Sequence, residues 1–195
     1  MLSKEKILQV VAANQPEFVP LPEMNHGCLI EYSDLCAQFK TASENVGATV
    51  QRINDIQVLK EELKKEAEAG RFIINTIAGL GTINKQATLL PAARLNQLEK
   101  VYIKGTIGVA ENAAVWVPES NMLNRLLPFI AEHLVLLLEK KNIVTTLHEA
   151  YQRIDISTAG FGVFIAGPSK TADIEQSLVT GAHGARSTKV YILEL

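Results

Sequence analysis

Short runs that are apolar at nearly every position recur along this chain. They include "RFIINTIA" (71–78), "KVYIKG" (100–105), "AAVWVP" (113–118), "HLVLLLE" (133–139), "GVFIAG" (162–167) and "TKVYILEL" (188–195). Most are separated by stretches patterned as helices or turns. A strand that is apolar throughout must be buried on both faces, and this occurs mainly in parallel sheets covered by helices. The chain is therefore expected to be an α/β protein with a largely parallel sheet. "ATVQRI" (48–53) adds a further strand.

The intervening segments follow helical spacing. Leu35, Phe39, Ala42 and Val46 share one face, and Gly47 is a natural C-terminal stop. Residues 55–70 read as an exposed helix with a Glu61–Lys65 pair and Gly70 after the last turn. A short helix is expected around 92–98, and a short helix or turn at "NMLNRLLPF". Ile143, Leu147, Ala150 and Ile154 predict a helix over 142–154, and "TADIEQSLVTG" predicts another over 171–181.

The first 30 residues stand apart. Residues 3–14 suit an amphipathic helix capped by Ser3 and ended by Asn14 and Pro16. Three prolines follow within 15–30, which suits an extended linker. Two units are expected: residues 1–30 as helix and linker, and 31–195 as the α/β domain. The arm could pack on a partner subunit, including a second copy of the chain.

Composition narrows the function. The chain has 195 residues, 47% of them hydrophobic, enough for one domain with a real core. Nineteen basic residues against 21 acidic leave no surplus to neutralise phosphates, so nucleic acid is not expected as a partner. The run "LLPFIAEHLVLLLEKK" is broken by Pro128, Glu132 and His133, and so falls short of the roughly 20 apolar residues of a membrane span. No signal peptide is read at the N-terminus, and a cytoplasmic location is expected. Cys28 and Cys36 match no metal or redox spacing, and two thiols cannot supply four ligands to an iron–sulfur cluster. No metal site or resident cofactor is expected.

The C-terminal segment carries the candidate site. Read as strand–helix–strand, residues 162–195 form a parallel crossover, whose ligand would sit outside the carboxyl ends of the strands. Gly167, Pro168 and Ser169 would then stand at such an end and open the helix, with Lys170 and Thr171 beside them. Ser169 or Thr171 could equally be a simple cap, and Asp173 a complement to the helix dipole. Asp173 and Glu175 lie about 200° apart on a helix, which disfavours paired-carboxylate chemistry. His183, just before Gly184, is free to approach a partner closely and titrates near neutrality. Arg186 suits a carboxylate or phosphate.

The stretches Gly167–Glu175 (GPS-x-x-ADIE) and Gly181–Gly184 (G-x-HG) resemble the signature of the lactate utilization (LUD) domain family, in particular its protein C group. "GVAENAAVWVPESNMLNRLLP" (108–128) is similar to the family's A-E-x-G-T segment and its L-L-P. Asn112, Ala113 and Ala114 depart from that pattern, Arg125 is displaced to the position directly before Leu126, and Ala185 stands where the family has proline. The resemblance covers roughly 30–195. It implies a three-layer αβα sandwich like that of the sugar-phosphate isomerase and CoA-transferase superfamily. It also implies an accessory role in oxidising L-lactate to pyruvate with two companion proteins, the iron–sulfur clusters lying in those partners.

Three readings remain open at this point. The chain is an accessory subunit of lactate oxidation, or an isomerase- or transferase-type enzyme for an anionic ligand, or a regulatory or structural member of the family. In the enzyme reading Ser169, Lys170 and Arg186 hold the anion, Glu111 or Asp173 acts as base, and His183 as acid. Gly167, Pro168, Thr171 and Gly184 complete the expected ligand loop.

Overall fold

The computed structural model describes residues 3–20, 31–155, 160–172 and 178–194. Its elements run α1 (Ser3–Ala13), α2 (Leu35–Asn45), β1 (Thr49–Ile53), α3 (Gln57–Glu68), β2 (Ile73–Asn75), α4 (Ala92–Leu95), β3 (Lys100–Lys104), β4 (Ile107–Val109) and β5 (Val115–Pro118). They continue with α5 (Leu127–Ile130), β6 (His133–Glu139), β7 (Ile143–Val144), α6 (Leu147–Arg153), β8 (Gly162–Ile165), β9 (Lys170–Ala172), β10 (Leu178–Thr180) and β11 (Ser187–Leu193).

The expected parallel sheet forms the centre, in the order β1–β11–β6–β3–β2 with every pairing parallel. Alternation along its strands divides two cores. Val101, Ile103, Leu134, Leu136, Leu138, Val190 and Ile192 face one side. Tyr102, Val135, Leu137, Tyr191 and Leu193 face the other. The second side is covered by α3 through Leu59. The first is covered by Cys36 and Phe39 of α2, by Leu95 and Leu127, and by Val115 and Val117 of a smaller sheet. The result is a three-layer α/β arrangement.

The smaller sheet runs β7–β4–β5–β8. Its outer residues Ile107, Val109, Ala114 and Val144 pack with Ala150 of α6. Gly162 of β8 lies against Trp116, where a Cβ would come within 2.2 Å of the indole. A glycine here lets β8 pair antiparallel with β5.

Several expectations are corrected. The strands at 162–165 and 187–193 are not a parallel crossover, because they belong to different sheets. Where the spacing predicts a helix over 171–181, residues 173–177 lie outside the described residues, and residues 170–172 and 178–180 pair instead as an antiparallel hairpin, β9 with β10. Gly181 donates to the Ser169 carbonyl at 2.9 Å and closes its base. Ile143 and Val144 form a strand, so α6 is shorter than the 3.6-residue period suggested. Nor is α3 simply an exposed helix. Leu59 is fully buried, and Glu62 and Glu66 reach the sheet's Lys100 at 3.5 and 2.5 Å.

Helix α1 forms as expected, yet it buries none of its residues. Ile7, Leu8, Val10 and Val11 are each more than half exposed. Among the described residues, no helix is long and apolar enough to cross a membrane.

Candidate functional site

The chain leaves β8 and turns through Gly167 at φ +74°, where a Cβ would lie 2.8 Å from the Val46 carbonyl oxygen. The missing side chain lets the loop rest on the carboxyl end of α2. Pro168 is buried there, and the Lys170 ammonium lies beside Gly47. A cation at that position favours the negative end of the helix dipole.

Ser169 is clamped through its backbone. Its N–H donates to Ala185 O, and its carbonyl accepts from Gly181, both at 2.9 Å. Gly184 packs onto it so closely that a Cβ there would lie 2.9 Å from Ser169 Cβ. Gly181, at φ +82°, lies against Arg186, where a Cβ would meet Cγ at 2.3 Å. The glycines of both motifs are therefore required by packing and backbone conformation.

Around this junction lies a cleft of about 230 Å³. It brings together Gly167, Ser169, His183 and Gly184, as the sequence suggested, against an apolar wall that includes Pro128, Phe129, Leu134 and Phe164. Its position differs from the expectation. The cleft adjoins Leu134 and Thr188, at the amino ends of β6 and β11, because β8 sits in the smaller sheet.

Thr188 was not anticipated. It lines the cleft and is 2% exposed, and its hydroxyl has no hydrogen-bond partner among the described residues. A buried polar group left in this way is costly unless something completes it. The available signal in the sequence was a hydroxyl at the head of β11, ahead of its apolar residues 190–193.

The other candidates are dispersed. Arg186 turns to Glu132 at 3.0 Å and lines a neighbouring groove with Gly181 and Gly184. Glu111 stands on the turn after β4, where its carboxylate accepts from the Leu147 N–H at 3.0 Å, at the start of α6. It does not line the His183 cleft. Asp173 lies outside the described residues, as does the side chain of Thr171. Among the described residues, neither a carboxylate nor a lysine or arginine lines the cleft. It is suited to a small molecule with an apolar body and a polar end facing Ser169, Thr188 and His183.

The LUD domain family model matches residues 93–193, just over half of the chain. The chain belongs to the LUD domain family. The matched region of this LUD domain holds the whole smaller sheet, the hairpin, and the three central strands β3, β6 and β11. The crystal structure of a DUF162 family protein from Deinococcus radiodurans has the same fold, with a TM-score of 0.60 at 16% identity. The match covers 82% of this chain and 96% of that one. No curated protein matches the chain.

Proposed function

We propose that this LUD domain protein is an accessory subunit of L-lactate oxidation to pyruvate, working in the cytoplasm beside iron–sulfur partner proteins. The observation that carries this reading is the family match over 93–193, the segment that builds the cleft. Clusters and electron transfer belong to the partners in this reading, and this chain supplies no cofactor of its own. The exposed apolar stripe Ile7, Leu8, Val10 and Val11 supports residues 1–30 as a docking arm. The arm would engage a partner protein or a second copy of the chain.

The test is growth on L-lactate. Deletion of the gene should abolish lactate-dependent growth, and the wild-type gene should restore it. A double Leu8→Asp, Val11→Asp variant should fold normally, yet fail to restore growth or to retain iron-containing partners on affinity purification. Growth that is unchanged by deletion would sink the proposal.

A second reading is a small-ligand protein that uses the cleft at Ser169 and His183. The Thr188 hydroxyl, which has no hydrogen-bond partner among the described residues, favours it. Saturating short-chain carboxylates should then raise the melting temperature, and Thr188→Val should remove that rise.

A further inference from the structure

Among the described residues that line the cleft at Ser169 and Thr188, His183 alone can carry a charge, and its side chain is exposed to solvent. The two cations that flank these loops in the chain are turned elsewhere. The Lys170 ammonium lies beside Gly47 at the end of α2. The Arg186 guanidinium meets Glu132 at 3.0 Å. A carboxylate or phosphate inside the cleft would leave water with no lysine or arginine to meet it. That costs far more than burying a neutral polar group.

The floor of the cleft is apolar. Leu134 and Ala185 are buried, and Thr188 stands opposite Leu134 in the β11–β6 register. Pro128, Phe129, Phe164 and Ile165 add the walls. Phe129 is 43% exposed, an apolar surface that a ligand would cover.

Set in this floor is the Thr188 hydroxyl, buried and without a partner among the described residues. A hydroxyl both donates and accepts, so it can meet a carbonyl, an amide or another hydroxyl. Size sets the rest. An apolar cavity of about 150 Å³ takes up benzene. A cleft of about 230 Å³ has room for a ring or a branched chain with one small polar group attached.

We propose that this cleft binds an uncharged molecule with an apolar body no larger than about one ring, whose hydrogen-bonding group meets the Thr188 hydroxyl. The proposal rests on the second reading above, that the cleft is a ligand site. It narrows that ligand to a neutral one: an amide, aldehyde, ketone or alcohol.

The full-length protein would be titrated calorimetrically at about pH 8, where histidine is largely neutral. The probes are two matched pairs, benzamide against benzoate and isobutyramide against isobutyrate. The members of a pair share a body and differ in charge. Saturable one-to-one binding is expected, with the amide at least about tenfold tighter than its carboxylate in one pair or both. Thr188→Val keeps the shape of the side chain and removes the hydroxyl. It should weaken amide binding about fivefold or more, while the free variant melts no lower than wild type. Ser43→Ala removes another buried hydroxyl that has no partner among the described residues, but Ser43 does not line the cleft, so binding should be unchanged. Carboxylates that bind as tightly as their amides would overturn the proposal and leave the second reading standing. No saturable binding by any of the four probes would remove both. Amide binding that survives Thr188→Val intact would also overturn the proposal, as would a free variant that melts clearly below wild type.

Discussion

Gly184 rests on Ser169 with no room between them for a side chain: a Cβ on the glycine would lie 2.9 Å from Ser169 Cβ. The two sequence motifs are thus one packed junction. It ties the base of the β9–β10 hairpin to the entrance of β11, and Gly167 ties it to the end of α2.

Gly184→Ala should therefore destabilise the fold by about 1–3 kcal/mol through overpacking. Gly70→Ala is the comparison. Gly70 has φ +76° and nothing within 4 Å, so only backbone strain of about 1 kcal/mol applies. Urea denaturation of both variants checks the difference. A Gly184→Ala variant as stable as wild type would show that the junction yields.

Ser169→Ala should change stability by less than about 0.5 kcal/mol. A helix N-cap at this position would have cost about 1 kcal/mol, but Ser169 precedes a strand and is held by backbone bonds that alanine keeps. Any loss of lactate-dependent growth in this variant would then report on the cleft. A clear fall in melting temperature would show that the hydroxyl is structural.

Glu62 should give stability an acid-sensitive component. Burial opposes its charge, but the Tyr191 hydroxyl, with Lys189, Lys100 and the Tyr102 hydroxyl at 3.1 Å, outweighs burial and holds the carboxyl below its ordinary value. A carboxyl depressed on folding contributes stability above its unfolded pKa of about 4.3, and that contribution is lost as pH falls through the folded value. Glu62→Gln should therefore lower stability at pH 7 and flatten the decline below about pH 4.3. Denaturation curves between pH 7 and 3 decide it. Parallel wild-type and variant curves would remove Glu62 from the account.

Cys36 should resist thiol reagents in the native protein. It is 3% exposed, and burial pushes its thiol above the ordinary range, so little nucleophilic thiolate forms. Mass spectrometry after brief maleimide treatment should find Cys36 unmodified, and denaturant should expose it. Rapid native labelling would mean that α2 opens readily.

Much of the layering was legible in the chain. "HLVLLLE" announced a strand buried on both faces, and β6 spans 133–139 as the middle strand of the five-stranded sheet. The helical period of Leu35, Phe39 and Ala42 placed α2, and the spacing of its apolar residues shows which face it buries. These features are local, and burial reads them directly.

The failures have a common physical cause. "TADIEQSLVTG" carries helix-compatible spacing, but also β-branched residues at both ends. The pairing of Gly181 with Ser169 favoured the hairpin, a contact that no local pattern contains. The run "GVFIAG" was correctly read as a strand, but which sheet it joins depends on Gly162 fitting under the Trp116 ring. From that choice follows the position of the cleft, at the amino ends of β6 and β11.

The sequence by itself determined the α/β class, the buried strands, the family, and the glycines at which the chain must turn, because these rest on composition, period and short motifs. Tertiary structure alone decided which side chains meet. It left Glu111 at the start of α6, turned Arg186 to Glu132, left the Thr188 hydroxyl without a partner among the described residues and set Lys104 against Glu139. Those placements depend on strand order and on packing between residues distant in the chain, which a linear pattern does not encode.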